Sequence, residues 1–102
     1  MARRLRESEI ERYLVEKVKS FGGVAEKFSS PARRFVPDRL VTFPCGVIAF
    51  IEVKALKKKP TLGQINDHKK RRAMGLLVFV VDDLKSVDAA VSALYALSIG
   101  AA

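Results

Sequence analysis

The nine residues from Val47 to Ala55, Val-Ile-Ala-Phe-Ile-Glu-Val-Lys-Ala, constrain this chain more than any other stretch. An apolar run of that length, rich in β-branched residues, reads as a buried strand, yet it carries Glu52 and Lys54. Alternation along a strand puts Ile48, Phe50, Glu52 and Lys54 on one face and Val47, Ala49, Ile51 and Val53 on the other. Each ion taken out of water costs several kcal/mol unless a counter-charge or a metal compensates. The pair is therefore either a structural ion pair at the strand's end or half of an active site, and the residues upstream decide between the two.

Upstream, apolar residues at Leu5, Ile10, Tyr13, Leu14, Val18 and Phe21 form a helical stripe that Gly22-Gly23 ends. Helical geometry places Glu7 on the inward face and Glu11 at its edge, with Glu9 and Glu16 on the far side. Val24–Phe28 reads as a short strand containing Lys27, followed by a loop with Arg33 and Arg34. Asp38 follows Pro37, Arg39–Phe43 reads as a second strand, and the turn Pro44-Cys45-Gly46 makes it a hairpin with the central run. The hairpin brings Asp38 close to Glu52 and Lys54. A basic loop with Lys57, Lys58 and Lys59 then leads to a helix from Thr61 to Met74, opened by a possible Thr61/Gln64 capping box. This helix carries Lys69-Lys70-Arg71-Arg72 and the sole histidine, His68, expected on its surface with no metal role. Leu76–Val81 reads as a strand reached by a crossover, and Val87–Ser98 as a last helix before a small-residue tail. The predicted fold is α/β over one domain, residues 1–102: a mixed central sheet flanked by helices in the order αβββαβα.

Nineteen Lys and Arg against eleven Asp and Glu give a formal charge of +8, which favours polyanions and nucleic acid first. No apolar run approaches membrane-spanning length, and the first residues lack the apolar segment of a signal peptide. The single cysteine, Cys45, excludes an internal disulfide framework and points to a reducing, cytoplasmic setting. Glu11, Asp38 and Glu52 supply carboxylate oxygens that suit Mg²⁺ or Mn²⁺. Lys54 beside them is placed to orient a water or stabilise charge on a phosphate. Together these parts suggest metal-assisted phosphodiester hydrolysis. Taken singly, each has a plainer reading: Asp38 as a turn acid, Gln64 as a helix cap, and 69–72 as a solvated helix face that also meets phosphates. Cys45 is expected to be an ordinary turn residue.

Pro37-Asp38, with Glu52-Val53-Lys54 fourteen residues after Asp38, resembles the PD-(D/E)XK nuclease superfamily. Within it, residues 7–15, Gly22-Gly23, Lys27, 37–40, 51–54 and Gln64 are similar to the VRR-NUC domains, over nearly the whole chain and in the stand-alone phage-type form. The resemblance implies a restriction-endonuclease-like core. It implies Asp38, Glu52, Glu11 and the Val53 carbonyl as metal ligands, Lys54 as the catalytic lysine and Gln64 as its support, with Glu7 a rival for the first-helix acid. It also makes Lys27 a phosphate contact or a neighbour of the site. With Arg33, Arg34, Arg39, Lys57, Lys58, Lys59, Lys69, Lys70 and Arg71, it completes the expected nucleic-acid-binding set. One position departs from the pattern: a glycine is expected near position 35, where this chain has Phe35.

The expected function is a metal-dependent DNA endonuclease needing no small-molecule cofactor and no membrane, in a phage-infected or prophage-bearing bacterial cell. No appended domain reads bases and the positive charge is spread, so backbone and shape are read, which favours branched or four-way junction DNA. A homodimer would place two sites on one junction. Val87, Ala90, Val91, Leu94 and Leu97 of the last helix would supply its interface or else cover the sheet. The alternatives are a non-catalytic nucleic-acid-binding module of the same fold, or a small basic structural protein. The complete Asp38/Glu52/Lys54 set favours the enzyme, since a binder gains nothing from two carboxylates facing a polyanion.

Overall fold

The apolar stripe at the start of the chain forms α1 (Glu7–Ser20), which buries Ile10, Leu14 and Val18. In the computed structural model, residues 5–100 are described; positions 1–4 and the last two residues of the small-residue tail lie outside the described residues. Gly22 ends α1 with φ +87°, and the N–H groups of Gly22 and Gly23 bond back to the carbonyls of Lys19 and Val18, the pairing of a Schellman cap. Gly23 is needed for a different reason. A Cβ there would lie 2.8 Å from the Thr42 carbonyl oxygen and 2.9 Å from Val18 Cγ1, so only glycine lets the chain leave the helix this close to the sheet.

β1 (Val24–Lys27), β2 (Arg39–Phe43) and β3 (Val47–Val53) follow, the last two joined through the short 3₁₀ turn Pro44–Gly46. Then come α2 (Leu62–Ala73), β4 (Leu77–Val81) and α3 (Leu84–Gly100). The sheet order is β1-β2-β3-β4; β1, β2 and β3 pair antiparallel, and β3 pairs β4 in parallel. The parallel step requires a crossover, and α2 supplies it. The mixed sheet with flanking helices and the element order are those expected. α3 starts earlier than its apolar pattern suggests because Asp83 caps it: Asp83 Oδ1 accepts from Ser86 N–H at 2.7 Å, and Ser86 Oγ accepts from Asp83 N–H at 3.2 Å. That bond from the Ser86 N–H also holds the Asp83 carboxyl below its usual range.

Register separates the two faces. Arg39↔Ile51, Val41↔Ala49 and Ile51↔Phe79 put one set of side chains against α1 and α3. There Val41, Ala49, Ile51, Val53 and Val81 pack with Ile10, Leu14, Val18, Val87, Ala90, Val91 and Leu94. Four of the five apolar residues offered for a dimer face on α3 are thus core, and only Leu97 of that set, 49% exposed, remains outside. Across the same layer, the Tyr13 hydroxyl of α1 donates to Asp88 of α3 at 2.7 Å. The opposite face, with Leu40, Phe50, Glu52 and Val78, is the one α2 covers. Gly23→Ala should force α1 and β2 apart and cost about 1–3 kcal/mol, as overpacking does; a urea midpoint equal to wild type would show the contact to be slack.

Candidate active site

The site lies where β3 outruns β2. β2 begins at Arg39, opposite Ile51, so the groups of Val53 that point toward β2 have no backbone partner there. Asp38, just before β2, fills the gap with its side chain: Asp38 Oδ2 accepts from the Val53 N–H at 2.7 Å. In an extended strand the N–H and C=O of one residue point to the same edge, so the Val53 carbonyl is directed to the edge where Asp38 sits. The hairpin therefore joins Asp38 and the end of β3 as its turn suggested.

Glu52 sits on the face under α2 and is 1% exposed. Its Oε2 accepts from Gln64 Nε2 at 3.0 Å and lies 3.6 Å from Lys54 Nζ. Gln64 holds Glu52 without giving up its place at the helix start, because its other amide atom, Oε1, accepts from Thr61 N–H at 2.9 Å while Thr61 Oγ1 accepts from Gln64 N–H. One end of the Gln64 amide thus serves the helix cap while the other meets Glu52.

The remaining oxygen, Glu52 Oε1, faces His68 Nε2 at 3.5 Å, and neither atom has a hydrogen-bond partner among the described residues. His68 is 2% exposed, which corrects its expected place on the helix surface. Counting from Gln64, His68 and Arg71 fall one and two turns along, on the face that meets the sheet. Burial, reinforced by the charge of Arg72, lowers the His68 pKa and keeps the ring neutral. Burial and, after it, the neighbouring Asp38 carboxylate push the Glu52 carboxyl up from the ordinary 4.5 to about 8, against the opposing pull of Lys54.

Three expected contacts fall elsewhere. Glu11 is ion-paired with Arg39 at 2.8 Å on the α1 face of the sheet, so it is not brought to Asp38 and Glu52. That pair also removes Arg39 from the phosphate-binding set, since its guanidinium is committed to Glu11 and to the Ala25 carbonyl. Arg71 is buried, held by Asp67 at 2.7 Å and stacked 4.5 Å from the Phe50 ring centroid, so it too is unavailable to a phosphate. Asp67, which no local sequence pattern marks, accepts a second bond, from Arg33 at 2.6 Å, and so ties the loop before Asp38 to α2. Arg33 keeps a side chain 45% exposed. Lys27, Arg34, Lys57, Lys58, Lys59, Lys69 and Lys70 are all exposed, as is Glu7 in the first turn of α1.

Among the described residues no three His, Cys, Asp or Glu side chains cluster as a metal cage. What the site offers is two carboxylates, Asp38 and Glu52, and the Val53 carbonyl. That set fits Mg²⁺ or Mn²⁺, which are held by one or two carboxylates and keep much of their water. A divalent ion at the orphaned Glu52 Oε1 would stabilise the ionised form that burial disfavours.

No protein-family model matches the chain. It is 49% identical over 92 residues to "Putative nuclease p44" of Acyrthosiphon pisum secondary endosymbiont phage 1, a match covering 88% of this chain and 99% of that protein. Among solved structures it is similar to a chain described as "VRR_NUC domain", with 38% identity and a TM-score of 0.80, covering 84% of this chain and 94% of that one.

The raised Glu52 pKa carries a sign that can be measured. The fold disfavours the ionised form, so in metal-free protein this group's contribution to stability is full below about pH 4.5 and lost as the pH rises through about 8. Glu52→Gln should flatten that decline, and a urea midpoint falling as steeply with pH in the variant as in wild type would show that another group is responsible.

Proposed function

Because the chain belongs to the VRR-NUC domain family, we propose that it is a nuclease whose hydrolysis of DNA depends on a divalent cation held by Asp38, Glu52 and the Val53 carbonyl. The observation that carries this reading is the Glu52 carboxylate. It is buried at the end of β3 beside a second carboxylate, with an ammonium 3.6 Å away and one oxygen unpartnered. A chain selected only for stability gains nothing from that arrangement, since unpaired buried charge is destabilising. A chain that must hold a cation against a phosphodiester needs it.

The residues divide the chemistry as follows. A bound Mg²⁺ or Mn²⁺ supplies Lewis-acid activation of water and phosphate. Asp38, fixed by the Val53 N–H, and Glu52, fixed by Gln64, present their oxygens without having to reorganise. Lys54 holds a water or a phosphate oxygen by its ammonium and stabilises charge as it develops there. Arg34 and Lys57–Lys59, exposed on the two loops that flank the site, hold the backbone of the DNA, with Lys27, Lys69 and Lys70 as outlying contacts.

The same spread of charge over loops and a helix favours recognition by backbone and shape, and therefore branched or junction DNA cut internally. The phage relative is consistent with action in an infected or prophage-bearing cell. Two copies would present two sites to one junction. In place of the α3 face, the second copy has an apolar groove of about 450 Å³ lined by Val47, Ile48, Leu76, Leu77 and Leu97, beside the edge strand β4.

The test is cleavage of linear, flapped, forked and four-way DNA with and without Mn²⁺ or Mg²⁺. Cutting should require the cation, favour the branched forms, and fall by about 100-fold or more in Lys54→Ala, with DNA binding retained in that variant. Binding without cutting under all conditions would leave the non-catalytic module as the correct reading. Sedimentation should give twice the chain mass, and a single-chain mass at micromolar concentration would remove the dimer.

A further inference from the structure

Phe35 holds a backbone conformation that favours glycine: φ is +64°. A bulky residue held in the left-handed region is strained, and such strain is kept where the surrounding structure gains by it. Here the gain is not burial, because Phe35 remains 50% exposed. Its ring instead rests flat on Gly63. A Cβ at Gly63 would lie 2.8 Å from Cγ, Cδ2 and Cε2 of the ring, so one aromatic face is seated against the first turn of α2 while part of the ring stays open to solvent.

The place is informative. Gly63 adjoins Gln64, whose amide holds Glu52, so the ring is one residue from the catalytic carboxylate's support. The loop that carries Phe35 is clamped by Arg33 to Asp67, which makes the platform rigid. Its surroundings are cationic: Arg34 stands 6.0 Å from the ring centroid, at the outer limit of a cation–π contact, and Lys57–Lys59 lie in the loop that leads into α2. Leu62, 72% exposed, extends the apolar surface beside it.

We infer that the Phe35 ring is a stacking platform for an unpaired nucleobase next to the phosphodiester held at Asp38 and Glu52, an inference that rests on the nuclease reading above. Every base offers a π face, so an exposed ring in a basic setting binds bases without reading sequence. In paired DNA those faces are already stacked on each other, whereas at a fork, flap or junction centre an unpaired base is free. Arg34, 6.0 Å from the ring, is a group a base would displace or use as a second stacking plane. The platform thus selects DNA whose strands separate near the cut.

Binding is measured in EDTA, where no cutting occurs, with single-stranded and forked oligonucleotides carrying 2-aminopurine at the unpaired position and with a fully paired duplex. Wild type should quench the 2-aminopurine. Phe35→Gly should abolish the quench and weaken forked and single-stranded binding by about 5-fold or more, while duplex binding changes by less than about 2-fold. Gly63→Ala, which displaces the ring without removing it and suits a helix better than glycine, should act in the same direction; Phe35→Trp should retain the quench. Thermal unfolding checks the fold, and Phe35→Gly should be no less stable than wild type because it relieves the left-handed strain. Wild type that cuts DNA with a cation yet shows no quench, or variants that lose forked and duplex binding equally, would overturn the stacking alone. Wild type that binds none of the DNAs would overturn the nuclease reading with it.

Discussion

Everything at the working end of this molecule depends on keeping one carboxylate, that of Glu52, out of water beside another. The apolar run of β3 makes the site dry, and the end of β2 leaves Val53 without a backbone partner, so Asp38 is drawn in to satisfy it. Beyond the Val53 N–H on Asp38, the groups that face Glu52 among the described residues are one amide from Gln64, one ammonium from Lys54 and the imidazole of His68. None fully neutralises the pair. That imbalance is what raises the Glu52 carboxyl and what the proposed cation would relieve.

The sheet separates stability from chemistry. Its α1/α3 face is an ordinary apolar core from Ile10 to Leu94, and the ion pair of Glu11 with Arg39 belongs to that side. Its α2 face is polar at the centre. The buried residues of α2 are Asp67, His68 and Arg71, while Leu62, Ile65 and Met74 of the same helix and its cap are exposed. A helix with that inverted pattern cannot be held by burial of apolar surface alone. It is held by the Arg33–Asp67–Arg71 ion pairs, by Arg71 over the Phe50 ring, and by Gln64 on Glu52.

This inversion explains what could be read from the residue order and what could not. The β3 run, the hairpin turn and the Thr61/Gln64 box are local patterns, and each element they imply is present with its ends shifted by a few residues. Asp38 near Glu52 followed from the hairpin alone. His68 and Arg71 were misplaced because a charged helix face is normally the solvated one, and only the i, i+4, i+7 spacing from Gln64 hinted otherwise. Glu11 was misplaced because helical geometry gives the direction of a side chain but not which face of the sheet its helix covers. The start of α3 hid behind Asp83, a capping residue inside a stretch that reads as a turn.

The two-ended use of Gln64 narrows what position 64 can be. Glutamate would accept from Thr61 equally well, but it would set a third negative charge against Glu52 and Asp38. Asparagine is one methylene too short to reach both the helix start and the strand. Lysine would neutralise Glu52 but has no acceptor for the cap. Drift at this position is therefore restricted by two unrelated demands at once, so the first turn of a helix cannot be re-engineered here without also disturbing the buried acid beneath it.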